Sequence, residues 1–155
     1  MRKILVCLIV AASVLFAAQT RSSNEMTSVP ASAPANSANK QFEDALAMYR
    51  VSDFKEAARL FNLACEGGHA RACYDIGAMI ASGKVAARQP ETAAKFYERA
   101  CKMGDKLGCY ALAYAHQTGV GAVKDEARAY ELYKNACKLG LAKGCNEAGY
   151  MSERG

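Results

Sequence analysis

The sequence predicts an all-α chain folded as a right-handed α/α superhelix, a solenoid of antiparallel helix pairs with about seven helices. Three observations carry that reading. Six cysteines form three pairs, Cys65 with Cys73, Cys101 with Cys109 and Cys137 with Cys145, each with seven residues between the partners and each pair 36 positions after the last. A period between about 20 and 50 residues marks units that must stack on one another to bury their apolar faces. Shifting the sequence by that period also aligns Ala57, Ala93 and Ala129, then Leu60, Phe96 and Leu132, then Phe61, Tyr97 and Tyr133, then Ala64, Ala100 and Ala136. Those offsets of three, four and seven trace one stripe of a helix. Third, Gly68, Gly104 and Gly140 fall at the same place in each copy, where a left-handed residue ends a helix.

The chain opens with Met1, Arg2 and Lys3, runs apolar from Ile4 to Ala18 and turns polar at Gln19. Residues 1–18 therefore read as a secretory signal peptide cut near Ala18 or Gln19. The apolar run of fifteen residues falls short of the roughly 20 that cross a bilayer as a helix, which weakens the alternative of an uncleaved anchor. Loss of this segment removes Cys7 and leaves six cysteines, an even number that in an exported chain reads as a disulfide framework. The expected compartment is oxidising, periplasmic or secreted. Formal charge falls from +5 to +3 when Arg2 and Lys3 leave, too little for a nucleic-acid footprint.

Residues 19–39 are rich in Ser, Thr, Ala and Asn, carry Pro30 and Pro34, and contain almost no large apolar residue. Such a segment cannot offset the entropy of ordering it and reads as a disordered tether. Residues 40–155 suffice for one repeat domain with its own core. Within it, Asp53 and Asp125 are helix-cap candidates and Pro90 takes a first-turn position, where its missing N–H costs nothing. A second helix follows each glycine stop, because Cys73, Ile76, Gly77 and Ile80 match Cys109, Leu112, Ala113 and His116, and Gly83 and Gly119 end it. Small residues at Gly77, Ala113 and Gly149 are expected to admit a close partner helix. The first unit has a tighter turn, between Tyr49 and Phe54. Ala142 to about Ser152 supplies a lone final helix with a polar end, suited to capping the stack.

The first unit looks like a tetratricopeptide unit. The chain as a whole resembles the Sel-one-like repeat family, relatives of tetratricopeptide repeats, on the paired-glycine loop Gly119-Val120-Gly121 and the Ala136-Cys137 dipeptide at a helix end. It is most similar to the disulfide-bridged subgroup of secreted bacterial cysteine-rich proteins, over about Lys40 to Tyr150. Ile80 and His116 replace the tyrosine usual in that pattern and are expected to loosen packing locally.

In each cysteine pair the first member ends one helix and the second opens the next, so the glycine turn brings their Cα atoms near the 5 to 6 Å typical of a disulfide. Of the 15 pairings open to six cysteines, repetition selects the one within each copy. Zinc is the competing use, since Cys65, His69 and Cys73 could converge. The other copies carry Asp105 and Leu141 where the first has His69, and no two-residue cysteine spacing of the structural-zinc type occurs. No metal site and no cofactor are expected, and His69 reads as an exposed turn residue. A thiol redox enzyme would favour cysteines two residues apart.

The family pattern places the first helix of each unit on the concave side, and the resemblance points there to Arg71, Tyr74, Ala78 and Ser82, then Leu107, Tyr110, Tyr114, Gln117 and Thr118, then Lys143, Asn146 and Tyr150. Tyrosine recurs, and its aromatic body with a polar tip suits contact with a peptide or protein. Tyr74 and Tyr110 have a second reading, as wedges between neighbouring helices. The favoured function is an exported, disulfide-stabilised scaffold that binds a protein or peptide partner through its concave face. The alternative, penicillin-binding or weak β-lactamase-like activity, is an implication of the cysteine-rich resemblance. Its residues are thin: Ser52 with Lys55 and Ser37 with Lys40 match S-x-x-K, but neither S-D-N nor K-T-G is present. Of the two histidines, His116 reads as structural, so no general base stands out.

Overall fold

The computed structural model describes residues 35–154, so the signal segment and most of the tether lie outside the described residues. Seven helices follow one another: α1 (Ala35–Arg50), α2 (Phe54–Glu66), α3 (Ala70–Ser82), α4 (Pro90–Lys102), α5 (Lys106–Thr118), α6 (Glu126–Lys138) and α7 (Ala142–Arg154). Among the described residues there is no strand, and each helix packs on the next in sequence, with α3 also touching α5. The architecture is a solenoid of antiparallel helix pairs.

Helix starts follow the sequence signals. Asp53 and Asp125 cap α2 and α6 by accepting from the N–H of Glu56 and Arg128, and Pro90 opens α4. Helix stops repeat one hydrogen-bond pattern. At the end of α2 the Gly68 N–H donates to the Cys65 carbonyl and the His69 N–H to that of Ala64; Gly104 with Asp105, and Gly140 with Leu141, repeat this after α4 and α6. This double bond, from the two residues beyond the cap back into the last turn, needs a left-handed residue, and the three glycines hold φ of 94°, 87° and 85°. The same pattern ends α1, where Ser52 N–H donates to Tyr49 and Asp53 N–H to Met48. There the left-handed position falls to Ser52, at φ 63°.

The first helix starts at Ala35, five residues ahead of the expected domain boundary at Lys40. The reason is packing: Ala38 is 2% exposed, and its methyl lies so near Gly67 that a Cβ there would stand 2.8 Å from it. Ser37, expected in the tether, and Lys40, expected to begin the domain, are both on this helix, and Lys40 pairs with Asp44 at 2.9 Å.

Two apolar clusters make the core, one around Phe61, Ile76 and Met79 in the first pairs and one around Leu112, Leu132 and Tyr133 in the last. Alanine supplies 14 of the 23 buried apolar residues among those described. A single methyl lets helices approach closely but removes little area from water, so this core is thin for its number of contacts. Gly77 carries a close helix crossing, since a Cβ on it would stand 2.8 Å from the Tyr97 ring. Gly149, expected to play the same part, has nothing within 4 Å of such a Cβ, because among the described residues no helix follows α7. Ile80 packs against the first cluster and His116 bonds the Val123 carbonyl through Nδ1 at 2.9 Å, so both positions expected to be loose are filled. No helix of the described residues is long and apolar enough to cross a membrane.

Candidate binding groove

The turns deliver each cysteine pair to bonding distance. Cys65–Cys73, Cys101–Cys109 and Cys137–Cys145 have S–S separations of 1.99, 2.05 and 2.03 Å and Cα separations of 4.7, 4.4 and 4.6 Å. The Cα atoms are nearer than the expected 5 to 6 Å. Beside the second bridge a Cβ on Gly108 would stand 2.5 Å from Ala100 Cβ, and beside the third one on Gly144 would stand 2.9 Å from Ala136 Cβ; the first bridge has Ala72 at that register and is the widest. His69 is no exposed turn residue. Its Nδ1 accepts from the Ala72 N–H at 3.1 Å as the cap of α3, and its ring stacks on Phe42 with centroids 4.0 Å apart. Cys65, His69 and Cys73 are thus all committed to the fold.

Side chains of α3, α5 and α7 expected on the concave face divide into two groups. Tyr74 and Tyr110 are half-buried and lean on core tyrosines, Tyr74 on Tyr97 at 5.8 Å and Tyr110 on Tyr133 at 5.2 Å between centroids. Burial raises the pKa of both hydroxyls, and pushes that of Tyr97 up to about 12. They wedge between helices. Tyr114 and Tyr150 instead stand 55% and 52% exposed. Lys143 and Asn146 are exposed, and Gln117 Oε1 accepts from the Tyr133 hydroxyl at 2.9 Å. Tyr150 bonds Arg154, whose guanidinium lies 5.1 Å over its ring.

Two recesses mark this face. One, of about 360 Å³, is lined by Gln117, Glu126, Tyr150, Met151 and Arg154. The other, of about 350 Å³, lies between α1, α2 and α3 and is lined by Leu46, Tyr49, Phe61, Asp75, Ala78, Met79, Ser82 and Lys84. Lys84 sits over the rings of Tyr49 and Phe54, at 4.4 and 5.0 Å, and donates to the Tyr49 hydroxyl. Of this second set only Ala78 and Ser82 were legible in sequence. Tyr49 and Lys84 are 35 residues apart, and only the α1–α3 juxtaposition joins them.

Arg71, expected on the face, is exposed, pairs with Asp75 at 3.2 Å and lies 4.9 Å over the Tyr74 ring. Burial raises the Asp75 pKa above its ordinary 3.8, outweighing Arg71, which lowers it. A carboxyl with a folded pKa above its unfolded one keeps its proton better in the native state. Its contribution to stability is therefore full at acid pH and lost as pH rises through the interval between the two values. Asp75→Asn is expected to flatten the decline of stability just above pH 3.8, measured by urea melts across a pH series. An unchanged slope would contradict the shift.

The Sel1 repeat family model matches residues 46–69, 70–105 and 106–141, more than half of the chain. The chain belongs to the Sel1 repeat family. Each full Sel1 match here spans one helix pair and its closing turn, α3 with α4 and α5 with α6, and leaves α7 as a lone final helix. A Sel1 repeat protein from Oxalobacter formigenes superposes with a TM-score of 0.68 at 29% identity, over 74% of this chain and 91% of that one. Cysteine-rich protein B of Helicobacter pylori superposes at 0.58 with 23% identity, over 74% and 96%. A protective antigen present in uropathogenic Escherichia coli strains gives 0.69 with 24% identity over 76% of this chain and only 26% of its own. No curated protein matches. The penicillin-binding alternative gains no support from these Sel1 repeats: Ser52 is a helix-stop residue that lines neither recess, and Ser37 belongs to α1.

Proposed function

We propose that this chain is an exported Sel1 repeat scaffold that holds a peptide segment or partner protein along the face of α3, α5 and α7. The observation that carries the reading is the pair Tyr114 and Tyr150. Both are exposed on a face whose other tyrosines serve the core. An aromatic ring left in water is unfavourable until a partner covers it, and rigid tyrosines are frequent anchors of interfaces. The recess beside Tyr150 combines an aromatic ring with Gln117, Glu126 and Arg154, groups that bond peptide amides as well as side chains. The apolar run from Ile4 to Ala18 and three disulfide bridges support a periplasmic or secreted location.

The test is a crosslinking pulldown with the purified domain against Tyr114→Ala/Tyr150→Ala. Loss of two anchors is expected to cost about 2 kcal/mol or more, a drop in capture of roughly thirtyfold, with melting unchanged because neither ring is buried. Capture that survives the double change sinks the groove assignment.

A further inference from the structure

The three bridges are equal in chemistry and in sequence separation, 8 residues each, yet unequal in cover. Cys65 and Cys73 are fully buried, in one cluster with Ala100 of α4. Cys109 is fully buried, and the Asn135 amide of α6 reaches over that bridge, 3.4 Å from Cys109 Sγ and 3.7 Å from Cys101 Sγ. A following helix thus shields each of the first two. Among the described residues nothing does this for the third: Cys145 is exposed and Cys137 half-buried, and the neighbouring Gly149 faces open space.

The helix that this third bridge ties down is also the one least held by anything else. Helix α7 buries only Gly144 and Ala148, where α2 and α3 each bury five residues. Its start lacks the side-chain cap of its counterparts. His69 and Asp105 accept from the N–H three residues on, whereas the equivalent Leu141 has no side chain that accepts.

We propose that Cys137–Cys145 is a thiol-exchange site, addressed by a dithiol reductant while the other two bridges stay closed, and that opening it releases α7 from the stack. A thiolate of the dithiol attacks Cys145 Sγ; the bond to Cys137 breaks, and its electron pair leaves on Cys137 Sγ, which takes a proton. The second thiol of the dithiol then displaces Cys145 from the mixed disulfide. Two electrons and two protons pass from the dithiol, which leaves as its own disulfide, to give two cysteine thiols. Attack needs access to sulfur: burial of both cysteines denies it at the first bridge, and at the second Cys109 is buried while the half-buried Cys101 lies under the Asn135 amide. Release of α7 carries Tyr150 off the face that bears Tyr114 and uncovers Tyr133, so the bridge would control any surface built from α5 and α7.

The test uses the purified full chain in a graded series of dithiothreitol under native conditions. Free thiols are trapped by iodoacetamide and located by peptide mass spectrometry, and hydrogen exchange is followed in parallel. Cys137 and Cys145 are expected to label at least tenfold faster than the other four cysteines, with exchange rising over 142–154 and staying slow over 54–118. Cys137→Ala/Cys145→Ala is expected to fold and to show the same exchange pattern without reductant. Opening of all three bridges in one step, labelling at 137 and 145 with α7 still protected, or a double variant that does not fold would each overturn the proposal. None of these outcomes depends on the groove holding a partner.

Discussion

Complete reduction, with all six thiols then alkylated, is expected to abolish the cooperative thermal melt of this domain. In the chain-entropy description each nine-residue loop removes about 2 to 3 kcal/mol of unfolded-state freedom, so three bridges together supply about 6 to 9 kcal/mol. The whole stability of a small domain is about 5 to 15 kcal/mol. An alanine-dominated core leaves little to replace that loss, since a methyl contributes far less burial than a leucine or phenylalanine side chain. The measurement is far-ultraviolet circular dichroism against temperature, with and without strong reductant. A melt that stays cooperative and within about 5 °C of the oxidised protein would show that packing alone holds the stack, because about 1 kcal/mol already moves a domain of this size by several degrees.

Truncation of Tyr133 is expected to give the largest effect of any single core substitution. Its ring is fully buried, leans on Tyr110, and belongs to the cluster that joins α5, α6 and α7. Its hydroxyl donates to Gln117, and burial holds that hydroxyl's pKa well above the ordinary tyrosine range. Tyr133→Ala removes the ring and leaves a cavity that the small neighbours Ala113, Ala129 and Ala148 cannot fill, at about 3 to 5 kcal/mol. Tyr133→Phe keeps the ring and loses one hydrogen bond, at about 1 kcal/mol. Denaturant melts of the two variants should differ accordingly. Equal losses would mean that the hydroxyl bond, and not the packed ring, anchors the last pair.

Helix stops and bridges were legible in the sequence because each is written within a few residues. A glycine at a fixed place after an apolar stripe specifies the left-handed turn, and the turn in its own geometry brings the cysteines together. The start of α1 was hidden for the opposite reason. Ser, Ala and Asn around Ala38 carry no stripe of large apolar residues, and what orders them is a methyl fitted against Gly67, 29 positions further on. The recess between α1 and α3 was hidden likewise, since Tyr49 and Lys84 meet only across two helices. His69 resembled an exposed turn residue because nothing in the turn itself shows that its ring stacks on Phe42, in a helix two elements earlier.

The place of the turns also bears on how the chain reaches its oxidised form. Each bridged cysteine's partner lies 8 residues away, and the next nearest cysteine in another copy stands 28 away, as Cys73 does from Cys101. Short loops close at lower entropic cost than long ones, and contacts between sequence neighbours form early. Correct pairing is therefore the kinetically favoured one, and the chain can oxidise one layer at a time, from either end, without an isomerase to reshuffle it.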